Sequence, residues 1–202
     1  MFIATIEESA AESGLAQWYE QQRNLWGYLP NYAPAFATRP EVAAAWTQLN
    51  MAVRGGMDRR RFELATVAAS RARSCTYCLA AHSKFLRDAC SDEPTMRELA
   101  ADPSGSSLDA VDAAVVGFAG LVATDPASVT ADDVQHLRDL GLSDADVADI
   151  IFAVAARCFF ATVLDATGAE ADHQLAATFD PGLRDSFAVG RPFAEAPGGP
   201  GD

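Results

Sequence analysis

The chain has few cysteines and few cations, and it lacks any readable strand. Four cysteines in 202 residues are too few for a disulfide framework, which small secreted domains need and larger cores do not. Lysine and arginine number 15 against 28 acids, a formal net charge of −13. Phosphate backbones and anionic bilayers bind basic surfaces, so nucleic acid and membrane are excluded as expected partners. The opening MFIATIEESA has no basic residue ahead of its short apolar run, so it does not read as a signal peptide, and the cytoplasm is the expected location. Alternating β-branched runs bounded by turns are missing, whereas Ala-rich segments of helical period recur.

With 50% apolar residues, the chain can bury one core, and an all-α single domain of about seven or eight helices is expected. One helix covers about Glu12 to Trp26. Thr38-Arg39-Pro40-Glu41 has the form of a capping box opening the next, which stops near Gly55-Gly56. A third starts at Asp58, and a fourth, with Ser74 as N-cap, ends before an Asp92-Glu93-Pro94 break. Others cover Leu108–Ala123 and, behind Thr130 and Ser143 as N-caps, Asp132–Asp139 and Asp144–Thr167. The apolar run Val147–Leu164 approaches bilayer-spanning length. It carries Asp149 and Arg157, so it reads as a buried or subunit-interface helix. From Pro181 the composition turns to Pro, Gly and Ala. Residues 1–180 are therefore expected as the domain, and 181–202 as a flexible or partner-contacting tail.

The chemistry concentrates in Ser74-Cys75-Thr76-Tyr77-Cys78-Leu79-Ala80-Ala81-His82. At about 100° per helical residue, Cys78 falls near −60° and His82 near −20° of Cys75, so all three share one narrow arc. Amides at a helix start favour negative charge, which favours thiolate over thiol. His82, one turn beyond Cys78, is placed to take its proton. Three readings remain open from these residues: a redox dithiol, a zinc site using Cys75, Cys78, His82 and Glu63, or small core side chains. Glu63 on its own reads equally as a surface acid paired with Arg59 or Arg60. Cys158 reads as core, Cys90 as too distant to join the pair, and His136 and His173 as solvated.

Written E-x11-C-x2-C-x3-H, the segment from Glu63 through Cys75 and Cys78 to His82 resembles the signature of the carboxymuconolactone decarboxylase-like superfamily, nearest to its AhpD-like alkylhydroperoxidases and peroxidase-related proteins. RPEVAAAWTQLN and the stretch from Phe118 to Ala155 are similar to that group's flanking helices, so the likeness covers roughly Pro30 to Asp172. The resemblance implies an AhpD-like bundle assembling as a homotrimer or hexamer. It also implies a hydroperoxide substrate, a small-molecule or protein thiol as reductant, and no bound cofactor or metal. Carried over, Cys78 is peroxidatic, Cys75 resolving, His82 the base toward Cys78, and Glu63 the group that orients or recharges His82. Members of the group also have a histidine just before the second cysteine, where Tyr77 stands here. A non-catalytic redox-sensing ligand-binding assembly, or a metal-dependent decarboxylase-like enzyme, are the alternatives.

Overall fold

The computed structural model describes residues 1–197 and is 70% helical, with ten α-helices and no strand among the described residues. In chain order these are α1 Ser13–Trp26, α2 Pro40–Gly56, α3 Arg59–Ala72, α4 Thr76–Ala89 and α5 Glu93–Ala101. After them come α6 Ala110–Thr124, α7 Ala131–Asp139, α8 Asp144–Thr167, α9 His173–Ala176 and α10 Pro181–Phe187. The all-α expectation holds, with more helices than expected.

Short polar side chains start most of these helices by accepting amide hydrogens that have no intrahelical partner. Asp58 accepts from Arg61 N, and Asp109 from Val111 and Asp112 N. Thr130 and Ser143 each complete a reciprocal capping box, with Asp133 and Asp146. Two expected caps differ. Arg39, not Thr38, sits at the N-cap of α2 and makes no side-chain cap bond, because Pro40 fixes the first helical residue in its place. Ser74 lies in the left-handed region at φ 52° and makes the turn between α3 and α4, which hands the N-cap position to Cys75. The expected break at Asp92 is a helix start. Asp92 accepts from Thr95 N, and Pro94 occupies the first turn of α5, where its missing amide costs nothing.

α3 is the hub and packs against α4, α6 and α8. Its residues Phe62 through Val67 are buried without a break, so it reads as an interior element rather than an amphipathic one. α8 is long and apolar enough to cross a membrane by length, yet half of its most apolar window is buried inside the fold. Its other face leaves Ile151, Phe152 and Phe159 exposed beside the equally exposed Leu49 and Met51 of α2.

Residues 181–197 carry one more helix, while 198–202, the end of the expected tail, lie outside the described residues. Asp180 caps α10 by accepting from Leu183 N, and Leu183 and Phe187 are buried, the latter against Phe179. Two apolar anchors one turn apart outweigh the Pro/Gly composition around them. The chain then crosses the start of α4. Gly190 N donates to Thr76 Oγ1 at 3.0 Å, Arg191 Nε to Asp165 O at 3.0 Å, and Ala194 N to Ala171 O at 2.7 Å. A Cβ at Gly190 would lie 1.9 Å from Ser74 O, so only glycine lets this strap lie against the α3–α4 turn. Gly190→Ala is therefore expected to lift the strap and destabilise the fold by about 1–3 kcal/mol. Calorimetry should show the lower Tm, and Cys75 should alkylate faster than in the parent. No change in either would place the strap's contribution elsewhere.

Candidate functional site

The turn that sets Ser74 at positive φ brings Cys75 N onto Ser70 O at 3.0 Å and aims the first turn of α4 back across α3. Cys75 caps that turn and has no solvent exposure, and Cys78, in the same turn, is 2% exposed. No disulfide joins them, and both are free thiols. His82, one turn further, is buried between the edges of Phe62 and Phe85. Glu63 reaches it from α3, with Oε2 2.6 Å from His82 Nδ1. Thr66 Oγ1 lies 3.0 Å from the same nitrogen and donates its own hydrogen to Phe62 O at 2.8 Å, so it accepts from the ring. Nδ1 is therefore the protonated ring nitrogen, and Nε2 of neutral His82 is left as a proton acceptor. Arg59 Nη2 sits 2.7 Å from the other oxygen of Glu63. All four residues singled out from the sequence thus come together, and Glu63 is wholly buried rather than a surface acid.

A cavity of about 460 Å³ opens over this cluster, with Cys78, His82 and Glu63 in its lining and Cys75 behind them. Trp26, Trp46, Tyr32 and Phe160 supply much of its wall. Leu25 and Met51 line it too and are more than half exposed, which marks the mouth. Among the described residues, no three His, Cys, Asp or Glu side chains converge as a metal site.

The sequence reading did not single out Arg157 as a site residue. It projects from the middle of α8, is 4% exposed, and puts Nη1 3.8 Å from Cys78 Sγ. Its only sequence signal was being a lone cation inside a long apolar run. Among the described residues no hydrogen bond joins His82 directly to the Cys78 sulfur.

Residues 40–102, from α2 to the end of α5, match the family model of the Carboxymuconolactone decarboxylase family. Among solved structures, the chain is similar to an alkylhydroperoxidase AhpD core, an uncharacterized peroxidase-related protein from Ralstonia eutropha JMP134. The identity is 23% over 86% of this chain and 93% of that one, with a TM-score of 0.77. A second uncharacterized peroxidase-related protein, from Silicibacter sp. TM1040, aligns at 22% identity over 85% and 93% with a TM-score of 0.73. The debrominase Bmp8 aligns at 16% identity over 91% and 94%, with a TM-score of 0.70. No curated protein matches the sequence. The chain shares the fold of that AhpD core.

Within this AhpD-like fold, Tyr77 replaces the expected histidine and faces a different task. Its hydroxyl donates to Asp172, which also accepts from Tyr28 OH at 3.2 Å and Asn31 N at 2.7 Å. Tyr77 thereby ties α4 to the chain entering α9 and lines the cavity with its ring. Burial pushes the Asp172 carboxyl up, against these hydrogen bonds.

The two thiols are electrically unlike. The Cys75 thiol donates toward Cys78, which holds the Cys78 sulfur below the ordinary thiol range despite burial, and the Arg157 charge acts in the same direction. Donating to Cys78 and being buried push Cys75 well above that range. Burial, joined by the Arg157 charge, lowers His82 to about 4 against the pull of Glu63. In an unfolded chain the imidazole takes its proton at about pH 6.5. Between those two values the unfolded state binds more protons, so stability rises with pH through this window and is lost as pH falls toward 4. His82→Gln removes that titration. Its Tm should fall less steeply from pH 7 to pH 4.5 than the parent's, and parallel Tm profiles would show that the buried imidazole is not the group responsible.

Proposed function

We propose that the chain is a thiol-dependent peroxidase or disulfide reductase of AhpD type, with Cys78 as nucleophile and Cys75 as resolving thiol. The observation that carries this reading is the division between the two sulfurs. Cys78 faces a cavity and is biased toward thiolate, while Cys75 lies behind it as a thiol. The thiolate is the nucleophile in both peroxide and disulfide chemistry. In the peroxide reaction, the Cys78 thiolate attacks one oxygen of the O–O bond, an S–O bond forms, and the other oxygen leaves with the bonding pair. The product is a Cys78 sulfenic acid and an alkoxide that takes up a proton. Cys75 then attacks the sulfenic sulfur, and water leaves as the Cys75–Cys78 disulfide closes. Two electrons and two protons from an external thiol reductant restore the pair.

The Glu63–His82 pair serves the proton balance. With Nδ1 committed to Glu63 and Thr66, Nε2 can accept the Cys78 proton through an intervening water and return it to the leaving alkoxide. The residues need no bound cofactor for these steps. A reducing compartment such as the cytoplasm suits two free thiols. Homo-oligomerisation, as a trimer or hexamer, belongs to the same reading. Its support is the open apolar groove between α2 and α8, lined by Leu49, Phe152 and Phe159 among others.

A second reading draws on the cavity itself, whose aromatic walls could hold a ligand while the dithiol senses redox state. Turnover separates the two. Cys78→Ser should abolish consumption of an organic hydroperoxide, and Cys75→Ser should leave a sulfenic acid that a trapping reagent labels at Cys78. Wild-type protein that oxidises to the disulfide yet consumes no peroxide beyond one equivalent, with a thiol reductant present, would favour the sensor. Undiminished turnover in Cys78→Ser would refute the peroxidase.

A further inference from the structure

Arg157 poses a problem that the thiol reading alone does not solve. A guanidinium stays protonated in proteins, and burying one without a counter-charge costs several kcal/mol. Here the group is 4% exposed, and among the described residues no carboxylate pairs with it. Its carbon centre sits 5.7 Å from the Trp46 ring centroid and 5.5 Å from that of Phe160. Aromatic faces ease a buried cation but do not neutralise it. The one group placed to carry the balancing negative charge is the Cys78 sulfur, 3.8 Å from Nη1. Arg157 Nε, meanwhile, is buried with no hydrogen-bond partner, and the residue lines the cavity beside Cys78.

We infer that Arg157 is a catalytic residue of this site: Nη1 holds the Cys78 sulfur as thiolate, and the fixed guanidinium charge beside that sulfur stabilises the negative charge that passes to the departing peroxide oxygen as the O–O bond breaks. The inference rests on the thiol-peroxide reading for its second half only. As sulfur bonds to one oxygen, negative charge moves from sulfur to the other. A fixed cation against the sulfur meets the charge at its origin and stays close to its destination inside a low-dielectric cavity. Arg157 gives up no proton in the step. The alkoxide takes its proton from His82 or from water, and the guanidinium supplies hydrogen bonds and field. The assignment also divides labour with His82, whose protonated nitrogen faces Glu63 and Thr66. Arg157 stabilises charge at the sulfur, and His82 moves protons.

The test compares Arg157→Met and Arg157→Lys with the parent by two independent readouts. The first is the pH dependence of Cys78 alkylation by iodoacetamide, located at Cys78 by mass spectrometry, which requires no turnover. The second is kcat for cumene hydroperoxide. Arg157→Met should raise the alkylation midpoint by about one pH unit or more and lower kcat about 10²-fold. Arg157→Lys should keep most of the alkylation shift and most of kcat, because the charge remains. An unmoved midpoint in folded Arg157→Met overturns the thiolate half. Wild-type kcat in folded Arg157→Met overturns the leaving-oxygen half. Should Arg157→Met fail to fold, Arg157→Gln, which keeps polarity without charge, takes its place on the same criteria. A parent enzyme that alkylates at low pH but turns over no peroxide would sink the peroxidase reading and leave the thiolate pairing standing.

Discussion

Glu63, a carboxylate with no exposure, fixes α3 against α4 through a 2.6 Å contact with His82. A buried acid is tolerated only where its oxygens are paired, and this one is paired on both sides, by the imidazole and by Arg59. The pairing dictates the rest of the arrangement. It sets the angle at which α4 leaves the Ser74 turn, and so the direction in which both sulfurs point. It also fixes the tautomer of His82, which leaves one ring nitrogen unprotonated in a cavity that is otherwise mostly aromatic.

Burial is the common cause behind the electrical asymmetry of the site. Removing water raises the cost of any isolated charge, so the groups settle as complementary sets. Glu63 answers Arg59, and the Cys78 sulfur answers Arg157. Of two chemically identical thiols, the one facing the guanidinium and the cavity is poised to ionise, and the one wedged under the C-terminal strap keeps its proton. The chain sets its two sulfurs apart by what surrounds them rather than by exposing either one.

Much of this was legible in the residues. Asp58, Thr130 and Ser143 each marked a helix start, because a cap is a local hydrogen bond within three residues. The Cys75, Cys78, His82 arc follows from helical spacing alone, and Glu63 entered through the family resemblance. What stayed hidden depends on distant parts of the chain. Arg157 meets Cys78 across 79 positions, and Tyr77 meets Asp172 across 95. No periodicity encodes such pairs. The helix after Pro181 likewise rests on two buried anchors, Leu183 and Phe187, within an otherwise polar, Pro/Gly-bearing segment. α5 was missed because Pro94 was read as a stop, although proline in a first turn is compatible with a start.

The depth of the sulfurs restricts who can return electrons to them. Cys75 has no exposure, and Cys78 lies in the lining of a cavity whose rim is Leu25 and Met51. Under the proposed chemistry a reductant has to meet Cys78 inside that cavity, past walls that Trp26 and Trp46 help to form. Whatever restores the pair reaches inward, because neither sulfur comes out to meet it.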